Sequence, residues 1–402
     1  PGRAGRGVGA GGGGAVAALT ARVKIEKGTV TYVARGTSGA LSRYRVEDLD
    51  LRLGVGPAIL VEGTARVKPG DLGVTITEGR IALNGARSLF EAPVSARVAV
   101  EGRNVAELVA AAAGPSPAIA GAVQGALTVS GTLGAPKAAG VVELANLRVT
   151  QPVPACPEPK LRTLALTALK LDNAAWDAGR LTSRPVTASL AGGSIALNLQ
   201  ATLDRGVRVQ LADVAIKALP LERVLADFLC QGYAVAGPLD LDGALAFNAL
   251  DLWGTLSGPG RLRIGPGRVV GPQALALFGG VVRVGGAVSA LLNADLPTSL
   301  FASPLAFDSI AGTYQIANGV VTTRDLLYSS RVMKVAVAGE YGLVTGRMNL
   351  DVVVNHGRGE LKARVTGTAA SPSIRGDPST IVRDVDRQKV ESGLKNLLKR
   401  FR

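Results

Sequence analysis

Residues 307–377 decide the fold: FDSIAGTYQIANGVVTTRDLLYSSRVMKVAVAGEYGLVTGRMNLDVVVNHGRGELKARVTGTAASPSIRGD. Side chains here alternate with a period of two. In KVAVAGEY, Val335 and Val337 point the same way. In the next run Met348, Leu350, Val352 and Val354 share one side, while Arg347, Asn349, Asp351, Val353 and Asn355 take the other. Leu361, Ala363 and Val365 then alternate with Glu360, Lys362, Arg364 and Thr366. A period of two is the strand signal, and Asn318-Gly319, Gly339, Gly342, Gly346, Gly357, Gly359 and Gly367 punctuate the runs as turns. The stretch predicts a meander of antiparallel strands with one apolar and one polar face.

The same pattern extends towards the N-terminus. ARVKIEKGTVTYVARG begins it at Ala21, followed by YRVEDLDLRLGV, ILVEGTARVKPG, ITEGRIALNGA and APVSARVAVEG. Each run is about four to eight residues, the usual strand length. NVAELVAAAA (104–113) breaks the pattern as a helix, with Asn104 placed as N-cap and Glu107 three residues on. Strands resume with GALTVSGTLGAP and GVVELANLRVT, and the proline-rich 151–159 marks an internal boundary. Beyond it, Ile195, Leu197, Leu199, Ala201 and Leu203 form one alternating face. A second short helix is predicted over Pro220–Leu229, with Leu221, Val224, Leu225 and Phe228 on one side. PQALALFGGVV and VSALLNADLPTSLF are further helix candidates. The C-terminal TIVRDVDRQKVESGLKNLLKRFR reads as a basic amphipathic helix, which either caps the sheet or lies on an anionic membrane.

An internal echo is visible. Asn104–Gly121 is a helix followed by Ala-Ile-Ala-Gly; Leu219–Gly237 is a helix followed by Ala-Val-Ala-Gly. Asn104 and Pro220, like Gly121 and Gly237, are offset by 116 residues (220 − 104 and 237 − 121). A unit of several strands and one short helix is therefore used more than once. The organisation expected is a Gly-rich lead-in over 1–20, an N-terminal β region over 21–150, a second β region over 151–376 and the helix over 377–402. The chain begins at Pro1 in PGRAGRGVGAGGGG and reads as a piece of a longer protein.

Bulk properties restrict function. Of 402 residues 47% are hydrophobic but only 4% aromatic, so apolar surface must be built from aliphatic side chains. The net charge of +14 invites a polyanion partner, yet the cations are scattered singly on polar faces without stacking aromatics or zinc-knuckle spacing. No nucleic-acid binding is expected. Cys156 lies in the stiff QPVPACPEPK and Cys230 ends an apolar run; unpaired thiols are the simpler reading, and a disulfide would need an oxidising compartment. No uninterrupted apolar run approaches a membrane span.

Nothing points to catalysis, a metal or a cofactor. His356 is the sole histidine, set in a turn-like NHGRG. Carboxylates such as Glu47, Asp48 and Asp50 sit on solvated strand faces. Gly258-Pro259-Gly260 and Gly265-Pro266-Gly267 lack the strand-to-helix context of a phosphate cradle and read as turns.

Residues 188–377 resemble the C-terminal region of the bacterial AsmA family of envelope proteins. ASLAGGSIALNLQATLD, LADVAIKALPLERVLADFL, VAGPLDLDG, LSGPGRLRIGPGRVVG, FDSIAGTYQIANGVVTTRDLLYSS and RVTGTAASPSIRGD carry the likeness by their order and spacing. The first half matches only in style. The resemblance implies a non-enzymatic periplasmic protein, anchored in the inner membrane by an N-terminal helix that this chain lacks, and active in outer-membrane biogenesis. It also implies kinship with TamB and bridge-like lipid-transfer proteins, whose long curled sheet carries phospholipid acyl chains in an apolar groove. The expected architecture is thus mainly β, an elongated curled antiparallel sheet with a few short helices. The expected lining is Leu197, Leu199, Val335, Val337, Leu350, Val352, Leu361 and Val365. The expected partners are a phospholipid or other envelope lipid and the two membranes, with other envelope proteins as possible company. Two alternatives stand beside this reading: a scaffold that recruits envelope proteins through its sheet edges, and a polyanion-binding protein.

Overall fold

A computed structural model describes residues 20–35, 41–83, 86–154, 156–204, 206–232, 234–274, 306–331, 333–356 and 359–376. The helix candidates within 275–305 and the basic segment 377–402 lie outside the described residues; of the first, only Pro272–Ala274 is described, and it is helical.

The chain is a meander. Its first half supplies β1 (Ala21–Arg35), β2 (Leu41–Val55), β3 (Ala58–Lys68), β4 (Leu72–Ala82), β5 (Val94–Gly102), β6 (Ala118–Thr132), β7 (Ala135–Pro152) and β8 (Leu161–Asp177). Then come β9 (Arg180–Leu190), β10 (Gly193–Asp204), β11 (Gly206–Pro220), β12 (Val235–Ala236), β13 (Pro238–Asn248), β14 (Gly258–Ile264) and β15 (Gly267–Val269). The last are β16 (Ala306–Phe307), β17 (Ser309–Ala317), β18 (Val320–Ser329), β19 (Met333–Gly342), β20 (Arg347–His356), β21 (Gly359–Thr368) and β22 (Ser371–Gly376). All but β12, β15 and β16 form one 19-stranded sheet, each strand antiparallel to the next. The sheet is open: among the described residues β1 and β22 pair on one side only.

Strands run longer than the sequence pattern suggests, up to 18 residues in β7. The reason is the β-bulge. Asp48, Glu78, Asn146, Asn173 and Asp213 hold φ near +50° where the register slips by a residue. Read along the sequence, such a residue looks like the end of a strand. In the fold it restores the phase, so that aliphatic side chains return to the same face, and it coils the strand more tightly. Neighbouring side chains satisfy the displaced backbone or the bulge itself. Asp50 Oδ1 accepts from the Lys27 amide at 2.9 Å, Asp240 Oδ1 from the Ala218 amide at 2.9 Å, and Asn198 Nδ2 donates to Asp213 at 2.7 Å.

Two ends of the sheet differ. The β5–β6 connection, the β7–β8 loop and the β11–β13 connection all lie at one end and carry covering elements. The first is helix α1 (Ala106–Ala113). The N-cap is Val105, one residue later than expected, and has no side-chain cap bond; Asn104 Oδ1 accepts from the Ala106 amide at 3.0 Å, and the Glu107 carboxylate, instead of completing a capping box, accepts from the Gly70 amide at 3.1 Å and ties α1 to the β3–β4 turn. In place of the second predicted helix there is a π-helical turn, Glu222–Phe228. Beside it, β12, β15 and β16 pair in the same order as β13, β14 and β17. The small sheet is thus the folded-over end of three strands, each broken at one point: Gly237, Gly265-Pro266 and Asp308. Gly265-Pro266-Gly267 fits the turn expected there. Gly258-Pro259-Gly260 does not; it opens β14, where a side chain at Gly258 would strike the Ala244 carbonyl of β13. His356 likewise ends β20, paired with Met333 and Gly359.

The 116-residue echo is a structural repeat. The Val105 amide donates to the Gly121 carbonyl at 2.9 Å, and the Leu221 amide donates to the Gly237 carbonyl at 3.1 Å. Both glycines hold similar positive φ, 158° and 152°, against neighbouring backbone, and both Val105 and Leu221 are buried.

Candidate functional site

Register places one apolar face across the whole sheet. Ile25, Leu51, Gly63, Ile76, Val98, Leu127, Gly140 and Ala174 are successive cross-strand partners from β1 to β8. Leu219, Leu239, Ile264, Ile310, Tyr328, Val335, Val354 and Leu361 continue such a row from β11 to β21. A row through Val74, Val100, Val142, Leu171 and Val186 joins the halves at Leu197. The glycines in these rows sit where neighbouring backbone comes close: a Cβ on Gly63 would strike the Asp50 carbonyl and one on Gly140 the Ala126 carbonyl.

All eight residues proposed as lining fall on this face by register, but in different surroundings. Val335 (4% exposed), Val352 and Val365 (0%) belong to a core cluster with Met333, Met348, Phe307 and Tyr328. Val337 and Leu350 pack against that cluster and are partly buried. Leu197 and Leu199 are partly buried on β10. Leu361 is placed by its register opposite Val354, and its side chain lies outside the described residues. The more open stretch of the face is on β1–β8. There Leu51, Leu53, Ile76, Val98, Val100, Leu127 and Val142 are all half-buried, and Val23, Val30 and Tyr32 are exposed. Alternation was as clear here as in the C-terminal half; what the sequence could not show is where covering elements end.

Helix α1 packs on β6 and β2, whereas the π-helical turn and the β7–β8 loop meet over β8. The π-helical turn packs over β8, and Leu164 and Leu166 of β8, Leu190, Leu219, Leu221, Val224 and Leu225 share the core cluster. A disulfide joins Cys156 to Cys230, with Cα atoms 5.5 Å apart, and pins the turn to the β7–β8 loop. The expectation of two unpaired thiols is corrected. The loop closes on itself through Val153 N–Lys160 O (2.9 Å) and Cys156 N–Val153 O (3.0 Å), which turns Cys156 inwards and buries it.

The opposite face is polar and its charges are paired in solvent. Asp71 receives Lys68 Nζ at 3.0 Å and Arg66 at 3.1 Å. The Lys68 contact, then the Arg66 contact, hold its carboxyl below the usual carboxylate range, and Lys68 is raised in turn. These residues help line a hollow of about 1000 Å³ with Asp50, Glu101, Arg103 and Glu107; Asp50 and Glu107 are already engaged by backbone amides. Among the described residues no group of three or more His, Cys, Asp and Glu could hold a metal, and no helix is long and apolar enough to cross a membrane. Set against protein-family models, curated proteins and solved structures, the chain matches none of them.

Proposed function

We propose that the sheet is a lipid-carrying surface: a curled trough whose aliphatic face holds phospholipid acyl chains and passes them between the inner and outer membranes of a cell envelope. One observation carries this reading. A continuous aliphatic face carries a buried core cluster over β9–β21, while among the described residues β1–β7 contribute nothing to that cluster and leave Val23, Val30 and Tyr32 exposed. Exposed aliphatic surface forgoes about 25 cal/mol per Å², and a large patch of it generally marks a binding surface. An acyl chain laid along it recovers about 0.8 kcal/mol per methylene without any reacting group. The disulfide supports an oxidising compartment such as the periplasm, and the likeness to the AsmA family points to the same place.

The test is native mass spectrometry of protein purified from membranes. Val98→Asp or Leu127→Asp is expected to remove co-purifying phospholipid while the protein stays folded. Unchanged phospholipid in a folded variant would sink the proposal.

A second reading rests on β1. It is a 15-residue strand that pairs on one side only among the described residues, with Val30, Tyr32 and Val33 exposed, long and apolar for a sheet edge. A scaffold would recruit a partner strand there. Proline placed at Thr31 would abolish partner capture and leave lipid content intact.

A further inference from the structure

The end of the sheet opposite the covering elements is built from turns, and turn tips are ordinarily polar. Among the described residues of the covered end the tips are charged, polar or small apart from Leu161 at the start of β8: Lys68, Gly70 and Asp71; Glu158 and Lys160; Ala191 and Gly192; Ser330 and Arg331. At the other end large apolar side chains project. Phe90 (71% exposed) stands on the β4–β5 connection, Leu133 on the β6–β7 turn, Leu250 and Trp253 (51%) on the β13–β14 connection and Val344 (65%) on the β19–β20 turn.

These tips are held in place. Gly134 N donates to Phe90 O at 2.8 Å and Leu133 N to Ala92 O at 3.0 Å, which joins the first two. Farther along, Gly319 N donates to Leu256 O at 2.9 Å, Leu343 N to Gly319 O at 2.8 Å and Ala369 N to Gly346 O at 2.7 Å, so the connections from β13–β14 to β21–β22 are stitched together as a second set. Arg87, Arg180 and Arg347 are exposed between them. Among the described side chains the acids of this rim are Asp177, paired with Lys137 at 2.8 Å, Asp251, which accepts from the Gly254 amide at 3.1 Å, and the exposed Glu91.

We infer that this rim docks on the surface of an anionic bilayer. A protein partner would need a contiguous patch, of the order of 1,000 Å² in total. Single apolar anchors carried on separate turns, with arginines between them, suit a surface that is fluid and continuous. Aromatic side chains favour the headgroup boundary, and cations add attraction to anionic lipid. The inference stands whether or not the apolar face carries lipid.

Trp176 and Trp253 are the only tryptophans. With Trp176→Phe in the full chain, Trp253 fluorescence becomes the reporter. Vesicles of phosphatidylglycerol and phosphatidylethanolamine bearing bromines high on the acyl chain are expected to quench it, and pure phosphatidylcholine vesicles to quench it far less. Phe90→Ser combined with Val344→Ser should weaken co-sedimentation roughly tenfold, while Leu161→Ser at the covered end, itself 63% exposed, should leave it unchanged. Vesicle binding without quenching, binding unaffected by the rim variant, or no binding at all would each overturn the inference. So would loss of co-purified phospholipid in the rim variant, because the rim would then be part of the carrying surface. Lipid retained by the rim variant and lost by Val98→Asp separates docking from carriage.

Discussion

The two halves of this sheet are written in the same alphabet and end in different states. Both alternate aliphatic and polar residues, both are antiparallel meanders, and the helix-to-glycine hydrogen bond recurs in each at the same spacing. Yet Val98 on β5 is half-buried while Val365 on β21 is sealed. The difference does not lie in the strands. In the second copy the strand breaks at Gly237, its end folds away to pair with β15, which pairs in turn with β16, and the connection is pinned by the disulfide. In the first copy the equivalent glycine, Gly121, only faces the Asn146 bulge of β7, and β6 runs on in the sheet. Whether a strand folds over or continues decides whether an apolar face becomes core or surface.

The sharpest way to break the comparison is to place the same charge in both halves. Val365→Asp buries a carboxylate with no partner and should cost about 4 kcal/mol or unfold the second half outright. Val98→Asp should cost about 1 kcal/mol or less, because its carboxylate reaches water. Circular dichroism and denaturant titration would read both. Equal losses would mean that the first half is as tightly covered as the second.

The disulfide comes next. It closes a loop of sequence separation 74, for which chain entropy gives about 4 kcal/mol as an upper figure. Cys156→Ser with Cys230→Ser should therefore lower the denaturation midpoint of the second half. Amide exchange should quicken in the π-helical turn and at the covered end of β8, and stay unchanged in β1–β5. Uniform quickening across the sheet would show that the halves unfold as one unit.

The repeat offers a smaller and more exact contrast. Gly121→Ala and Gly237→Ala each force a side chain into positive φ, with backbone oxygens 3.0 Å and 3.2 Å from the new Cβ. Each should cost about 1–2 kcal/mol. Similar losses measured by thermal unfolding would mark the two as one structural device used twice. A much larger loss at Gly237 would show that folding over depends on it.

Much of this was legible in the chain. Alternation at Met348, Leu350 and Val352 announced strands, and the 116-residue echo announced the repeat, because both follow from local rules of side-chain direction and turn chemistry. Bulges were not legible. Asn146 and Asn173 have the composition of a turn, and only pairing with a neighbouring strand turns them into a phase correction. The disulfide was hidden for a like reason: Cys156 sits among prolines that suggest exposure, and its burial depends on a loop that closes through Lys160. Nor could alternation distinguish a face that will be covered from one that will not, since Val98 and Val365 have equivalent neighbours along the sequence. The rim of apolar turn tips was missed because Phe90, Leu250 and Val344 are scattered singly and come together only through the meander.

The smallest expected effect is a dependence on alkaline pH confined to the second half. Tyr314, Tyr328 and Tyr341 lie there on the apolar face, and burial pushes each phenol above its ordinary value. Below pH 10 these groups are neutral whether the chain is folded or not, and the packing they provide is fully present. As pH rises past the ordinary phenol value the unfolded chain ionises first, so stability falls until the folded phenols ionise too. Denaturant midpoints of the second half, followed by amide exchange, should therefore decline above about pH 10. Replacing all three by phenylalanine should flatten that decline, although Tyr328→Phe also removes a hydrogen bond to the Ala306 carbonyl at 3.2 Å and should lower the plateau. A decline that survives the triple replacement would trace the sensitivity to lysines on the polar face, whose ion pairs are fully solvated and shared by both halves, and the distinction between a sealed and an open side would lose its clearest signature in solution.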